Sequence, residues 1–254
     1  MTQFSANLGF LWTELPLPMA IAAAKAAGFA AVECHWPYDT PAEETARALR
    51  ESGLRMLGIN TVRGKPGENG LSALPGCEAE ARAAIDQALG YATAIGAGMV
   101  HVMAGCADGD EAHAVFVTNL AYAAQRAAEC GITILIEPLN RHDAPGYFLK
   151  TTDQACAIIH EVGAPNVKLM FDCYHVGRTE GDITTRFKAL QPLIGHVQFA
   201  SVPDRGPPDS GELNFGTIFA AIADTGWVAP LGAEYRPIGP TSESLGWMAR
   251  WRQV

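Results

Sequence analysis

Short continuous apolar runs recur along the chain, most of them a few positions after a glycine: FAAVECH, LRMLGIN, MVHVMAG, ITILIEP, VKLMFDCYH, HVQFAS and VAPLGAEYRP. Alanine-rich amphipathic stretches such as AKAAG and AAECG lead into them. A helix that ends on a left-handed glycine and passes into a strand covered on both faces reads this way. With SANLGF added at the N-terminus, strands are predicted to start near residues 5, 30, 55, 98, 132, 167, 194 and 229. Intervals of roughly 25 to 43 residues suit a βα repeat, and eight of them predict an α/β chain closed into a (β/α)8 barrel. An open doubly wound sheet is the rival topology, but neither GxGxxG nor GxxxxGK(S/T) follows any strand.

No linker rich in Pro, Ser or charge interrupts the repeats, so residues 1–254 are expected to form one domain. The longest connection, TVRGKPGENGLSALPG at residues 61 to 76, follows the third strand and carries Arg63 and Lys65. Loops of this length usually serve as functional lids or flexible spacers.

Composition narrows the partners. The chain has 18 basic and 27 acidic residues, a net charge of -9, which argues against a nucleic-acid face or an anionic membrane surface and leaves room for a small anionic ligand. The longest uncharged run, Gln87 to Ala107, holds four glycines and His101, and reads as helix, turn and buried strand rather than a membrane span. The N-terminus MTQFSANLGFLW has no basic segment or cleavage site of a signal peptide, so a cytoplasmic location is expected. Six scattered cysteines, at 34, 77, 106, 130, 156 and 173, form no CxxC and read as buried thiols of a reducing compartment.

The candidate chemistry lies at the strand ends. In LIEPLNRHDAPGYFL the fifth strand must stop at Pro138, which cannot donate to a ladder, and this leaves Glu137 at the rim. The sixth ends with Asp172 and His175, the seventh with Gln198 and the eighth with Glu234; earlier strands offer Glu33 and His35, Asn60 and His101. His101 and His196, inside apolar runs, also suit the core. Three carboxylates and an amide oxygen at matching strand ends would converge, and unpaired they would repel and desolvate one another. A divalent cation resolves this, and an all-oxygen set suits Mg2+ or Mn2+ better than zinc. His175, three residues after Asp172, fits a fifth ligand, a residue supporting the ligands or a substrate contact.

These motifs resemble the hydroxypyruvate isomerase family of xylose-isomerase-like TIM barrels, whose close relatives include 2-oxo-tetronate isomerases. The likeness runs nearly end to end through SANLGFLWTELP, PGENGLSALPG, VHVMAG, LIEPLN, FDCYH, GHVQFA, DSGELNFG and GAEYRP to LGWM. It implies a metal on Glu137, Asp172, Gln198 and Glu234, with Glu137 and Glu234 also the catalytic acid and base. Many members of the wider superfamily carry His where this chain has Gln198, a neutral and weaker donor for transition metals.

The implied reaction interconverts hydroxypyruvate and tartronate semialdehyde through an enediolate, and EPLNRHDAPGYFL equally resembles isomerases of longer 2-oxo-tetronate acids. The expected partner is a small anionic sugar acid met by His175, Arg205, His101 and Asn60. Arg205 is the first candidate for its carboxylate, with Arg63, Lys65 and Arg178 behind it. A homo-oligomer is compatible with all of this. Two readings from other classes stay open: a metal-dependent DNA-repair phosphoesterase, as the superfamily also contains, and a catalytically silent sugar-acid sensor.

Overall fold

The computed structural model describes residues 2–251. Eight parallel strands close into a barrel in sequence order. They are β1 (Phe4–Asn7), β2 (Ala31–Cys34), β3 (Arg55–Asn60), β4 (Met99–His101), β5 (Thr133–Ile136), β6 (Val167–Asp172), β7 (Ile194–Phe199) and β8 (Leu231–Ala233). Helices α1 (Leu17–Ala26), α2 (Ala42–Ser52), α3 (Glu78–Ile95), α4 (Gly109–Ala128) and α5 (Thr152–Val162) fill the first five connections. The sixth holds α6 (Cys173–Thr179) and α7 (Ile183–Leu190), the seventh α8 (Phe215–Ala223), and α9 (Trp247–Trp251) follows β8.

The predicted strand starts agree with the observed ones to within two residues. Gly53, Gly96 and Gly163 cap α2, α3 and α5 in the left-handed conformation, as the glycine pattern predicts. The run from Gln87 to Ala107 is the end of α3, its cap and β4. Among the described residues no helix is long and apolar enough to cross a membrane.

Period-two alternation decides what faces the barrel axis. On β7, Phe199 turns outward into an aromatic cluster, with ring centroids 5.0 Å from Phe219 and 5.4 Å from Trp247. Its neighbour Gln198 turns inward. On β6, Phe171 packs outward at 5.6 Å on Phe187, which sends Asp172 inward. Ser5 and Asn7 on β1, His196 and Gln198 on β7, and Gly232 and Glu234 at the end of β8 are thus the inward pairs of their strands, the second of each lying nearer the C-terminal mouth. Emptying the Phe199 site would cost about 3–5 kcal/mol and loosen the strand that presents Gln198.

The loop after β3 is pinned, not free. Thr61 N–H donates to His101 O, Ser72 and Ala73 N–H to the carbonyls of Met103 and Ala104, and Cys106 N–H to Glu68 O. Gly70 has φ 115°, and a Cβ there would stand 2.4 Å from the Met103 carbonyl oxygen, so the close approach requires glycine. The loop is a wall of the barrel mouth.

The cysteine expectation needs correction. Cys34 and Cys173 are buried, but Cys77, Cys106 and Cys156 are half-buried and Cys130 is exposed, and all six are free thiols. Cys130 follows α4 in the turn toward β5, where the chain crosses the surface.

Candidate functional site

The mouth opens into a cavity of about 340 Å³ whose lining includes Asn60, His101, Glu137, His175, Arg205 and Glu234. Asp172 and Gln198, register partners on β6 and β7, are buried outside that lining, with Asp172 Oδ2 3.6 Å from both His175 and Arg205, which belong to it. The residues singled out from sequence therefore gather at one end of the barrel.

Their charges are unevenly matched. Burial, together with Glu234 and Asp172, raises the Glu137 carboxyl well above its ordinary range. Burial and Glu234 also push Asp172 up to about 7, against the pull of Arg205 and the Tyr174 N–H. Glu234 goes the other way: burial opposes its charge, but Arg205 and a hydrogen bond from His35 hold it below the usual carboxylate range. Asn7 Nδ2 donates to Glu234 Oε1 at 2.9 Å, and His35 Nε2 lies 2.6 Å from the same oxygen.

Arg205 ion-pairs with Glu234 and lies 3.6 Å from Asp172 Oδ2 and 3.7 Å from Asp143 Oδ2. It also covers the rings of Phe10 and Tyr174 at 4.6 and 5.0 Å. Its backbone has φ 55°, a left-handed conformation unfavourable for a non-glycine residue and the kind of strain found at functional sites. Lys65 is exposed on the loop, and Arg178 donates to the Pro203 carbonyl.

His175 has a defined tautomer. Its Nδ1 accepts the Asn140 backbone N–H at 2.9 Å, so the neutral ring carries its hydrogen on Nε2. Burial and the nearby Arg205 hold this imidazole well below its usual pKa. Nε2 faces Asp172 Oδ2 at 3.6 Å and Glu137 Oε1 at 4.0 Å. Glu137, Asp172 and His175 can bring one atom each within 4.8 Å of one another, a grouping that could hold a metal ion. In this tautomer, however, Nε2 is a donor with no free lone pair. The histidine is a hydrogen-bond donor beside the carboxylates and not a ligand.

His101 is buried with both ring nitrogens unpartnered and Nδ1 3.6 Å from Glu137 Oε2. Burial lowers its pKa to about 3, so it is neutral. His196, by contrast, is a satisfied core histidine whose Nε2 lies 3.1 Å from both oxygens of Glu33.

The donor set fits a hard cation. Glu137 Oε1, Asp172 Oδ2 and Gln198 Oε1 are buried without a hydrogen-bond partner, and orphaned oxygens of this kind call for a positive charge. Glu234 differs from the other three expected ligands, because its oxygens are engaged by Asn7, His35 and Arg205.

Asn7 was missed from the sequence, although it ends β1 as Glu137 follows β5, and the same strand-end rule would have found it. Arg236, Trp36, Phe10 and Asp143 also line the cavity and left no comparable local signal.

The comparisons agree with this fold. The profile of the xylose isomerase-like TIM barrel family matches residues 21–251. The chain belongs to that family. A 2-oxo-tetronate isomerase of Cupriavidus necator is 46% identical over 98% of both chains. A putative hydroxypyruvate isomerase of Homo sapiens is 44% identical over 97% of this chain and 94% of its own. A solved structure from Brucella melitensis, described as an AP endonuclease of family 2, superposes with a TM-score of 0.95 at 38% identity, covering 99% of this chain and 100% of that one.

Proposed function

We propose that this family member is an aldose-ketose isomerase of short hydroxylated 2-oxo acids, with hydroxypyruvate and tartronate semialdehyde as the first substrate pair. The carrying observation is the set of unpartnered buried oxygens on Glu137, Asp172 and Gln198 beside an ionised Glu234. These four residues would hold a divalent cation, with Mg2+ or Mn2+ the best match to oxygen donors. When bound, the cation supplies Lewis-acid stabilisation of the charge on two adjacent substrate oxygens, worth several kcal/mol.

The chain's own residues account for the protons. Conversion of hydroxypyruvate removes a proton from C3 and adds one at C2, while the hydroxyl hydrogen passes from O3 to O2. Glu137, with a free Oε1 and raised proton affinity, suits transfer to and from carbon. Glu234, ionised and fixed by Arg205 and His35, is its partner on the opposite side of the exchange. His175 Nε2–H and His101 are neutral and offer hydrogen bonds to the substrate oxygens, and Asn60 stands beside them.

Arg205 is already surrounded by three carboxylates. Arg63 and Arg236 line the same cavity without an acidic partner among the described residues, so they are better placed to receive the substrate carboxylate.

The test is turnover of hydroxypyruvate before and after chelation. Activity should vanish and return with Mg2+ or Mn2+; activity that survives complete metal removal would overturn the scheme. A four-carbon 2-oxo-tetronate is the second reading, favoured by the 46% identical relative. A kcat/KM preference for it of about a hundredfold or more would make it the substrate. The name of the Brucella structure raises a phosphoesterase reading, which the net charge of -9 opposes and which cleavage of an abasic duplex at physiological salt would establish.

A further inference from the structure

Below the proposed catalytic layer lies a buried carboxylate that the chemistry above does not use. Glu33, on β2, reaches across the barrel interior to β7. Its oxygens receive Ser5 Oγ at 2.7 Å, His196 Nε2 at 3.1 Å and Gln198 Nε2 at 2.6 Å. Three donors from three side chains satisfy it fully.

The arrangement leaves Gln198 one orientation. The two ends of an amide are nearly the same size, and nothing in the shape of a ring of oxygens selects between them. A carboxylate only accepts, so the amide end that touches Glu33 must be the NH2. The oxygen is thereby turned away from Glu33, and it is the atom left buried and unpartnered. The reversed amide would aim two N–H donors at a cation.

The neighbouring strand is shaped for this contact. Gly232, the register partner of both Ser5 and Gln198, lies beside the pair. A Cβ on Gly232 would stand 2.5 Å from Glu33 Oε1 and 2.9 Å from Gln198 Cγ. Only glycine leaves room for the two side chains to meet.

We propose that Glu33, clamped by Ser5 and His196, is a positioning residue that fixes the Gln198 amide so that its oxygen faces the cation site. Glu33 itself touches neither cation nor substrate. It sets the donor character of a side chain that does, and so lets this barrel use a neutral amide as a ligand. This rests on the cation reading above, and the test separates the two.

The test is a double-mutant cycle read as Mn2+ affinity of the metal-free protein by calorimetry, with folding checked by thermal melting. Glu33→Gln puts a group that can donate as well as accept where one only accepts, so the contact no longer dictates the Gln198 orientation, and it should weaken Mn2+ binding roughly tenfold or more when Gln198 is present. In a Gln198→Ala background the same change should cost less than about twofold, because no amide remains to orient. Equal weakening in both backgrounds would mean that Glu33 acts only through its charge, and would overturn the proposal. If Glu33→Gln does not fold, Ser5→Ala keeps the charge and loosens the clamp. It should weaken binding with Gln198 present and not with Ala, and equal effects again overturn the proposal. A wild-type protein that binds no Mn2+ would overturn the cation reading and this inference with it. Wild-type binding without coupling would remove the inference alone.

Discussion

Arg205 and Glu234 form a buried ion pair at the mouth of the barrel, and the same guanidinium lies 3.6 Å from Asp172. In the metal-free protein Arg205 is the fixed positive charge of a strongly acidic site. Removing it leaves buried carboxylates uncompensated, which costs about 3–5 kcal/mol. Arg205→Met should therefore lower the melting temperature of chelated protein, and added Mg2+ should raise it more in the variant than in wild type. An equal Mg2+ gain in both proteins would show that arginine and cation do not act on the same carboxylates.

The carboxyl shifts predict a sign for stability against pH. Asp172, raised to about 7, and Glu137, raised well above 4.5, bind protons more tightly in the folded chain than in the unfolded one. The stability they contribute is present at low pH and lost as pH rises toward the folded values. His196, also raised, has the same sign. The depressed histidines His101 and His175 have the opposite sign, but unfolded histidine is largely neutral above about pH 7 and they add nothing there. Glu234 completes its titration in acid. The melting temperature of chelated protein should thus fall as pH rises through about 7, the folded value of Asp172. The gain on adding Mg2+ should grow over the same interval, because cation binding displaces protons. A flat profile without metal would contradict the raised carboxyls.

Glu137→Gln separates catalysis from folding. The amide keeps the shape of the side chain but can neither take up nor release the proton, so turnover should fall by about 10² to 10⁴. Because Glu137 is repelled by Glu234 and Asp172, the metal-free variant should melt no lower than wild type at pH 8.5 and should lose the Mg2+ response. Retention of a tenth of the wild-type rate would remove Glu137 from proton transfer.

What was readable in the chain follows from which interactions are local. Strands covered on both faces must be apolar throughout, and the helices before them end at left-handed glycines, so β2 to β7 announce themselves within a window of ten residues. Glu137 is visible because Pro138 stops its strand. The partners of these residues are not local. Asn7 reaches Glu234 across the seam where β1 meets β8, 227 residues apart, and no window shows that contact. The tautomer of His175 depends on the backbone of Asn140, 35 residues earlier. His196 looks the same in sequence whether it serves chemistry or the core, and only its pairing with Glu33 assigns it to the latter. The loop at 61 to 76 reads as a lid or flexible spacer because its many glycines and prolines suggest freedom; Gly70 instead uses that freedom to pass against Met103.

That pinned loop carries Arg63 into the cavity. Its guanidinium lies 4.8 Å from the ring of Trp36 and its Nη2 donates to Asn69 Oδ1 at 2.7 Å. Trp36 is in turn held by its Nε1–H to the Thr61 carbonyl at 3.0 Å. The cation is thus placed by a stacked ring and a side-chain amide, and it faces the cavity with charge to spare, whereas Arg205 is engaged by Glu234, Asp172 and Asp143. A hydrogen bond to a charged group contributes about 1.5–3 kcal/mol. Arg63→Met keeps most of the length and the contact with Trp36 while removing the charge. kcat/KM on hydroxypyruvate should fall roughly 10- to 150-fold, mainly through KM. Slow turnover of an uncharged ketose such as dihydroxyacetone should change by less than about threefold, and stability by no more than about 0.5 kcal/mol, since the residue is exposed. Equal losses on the charged and uncharged substrates would mean that Arg63 shapes the mouth without recognising the carboxylate, and the role would then pass to Arg236, whose guanidinium lies 5.9 Å from the ring of Phe10 in the same cavity.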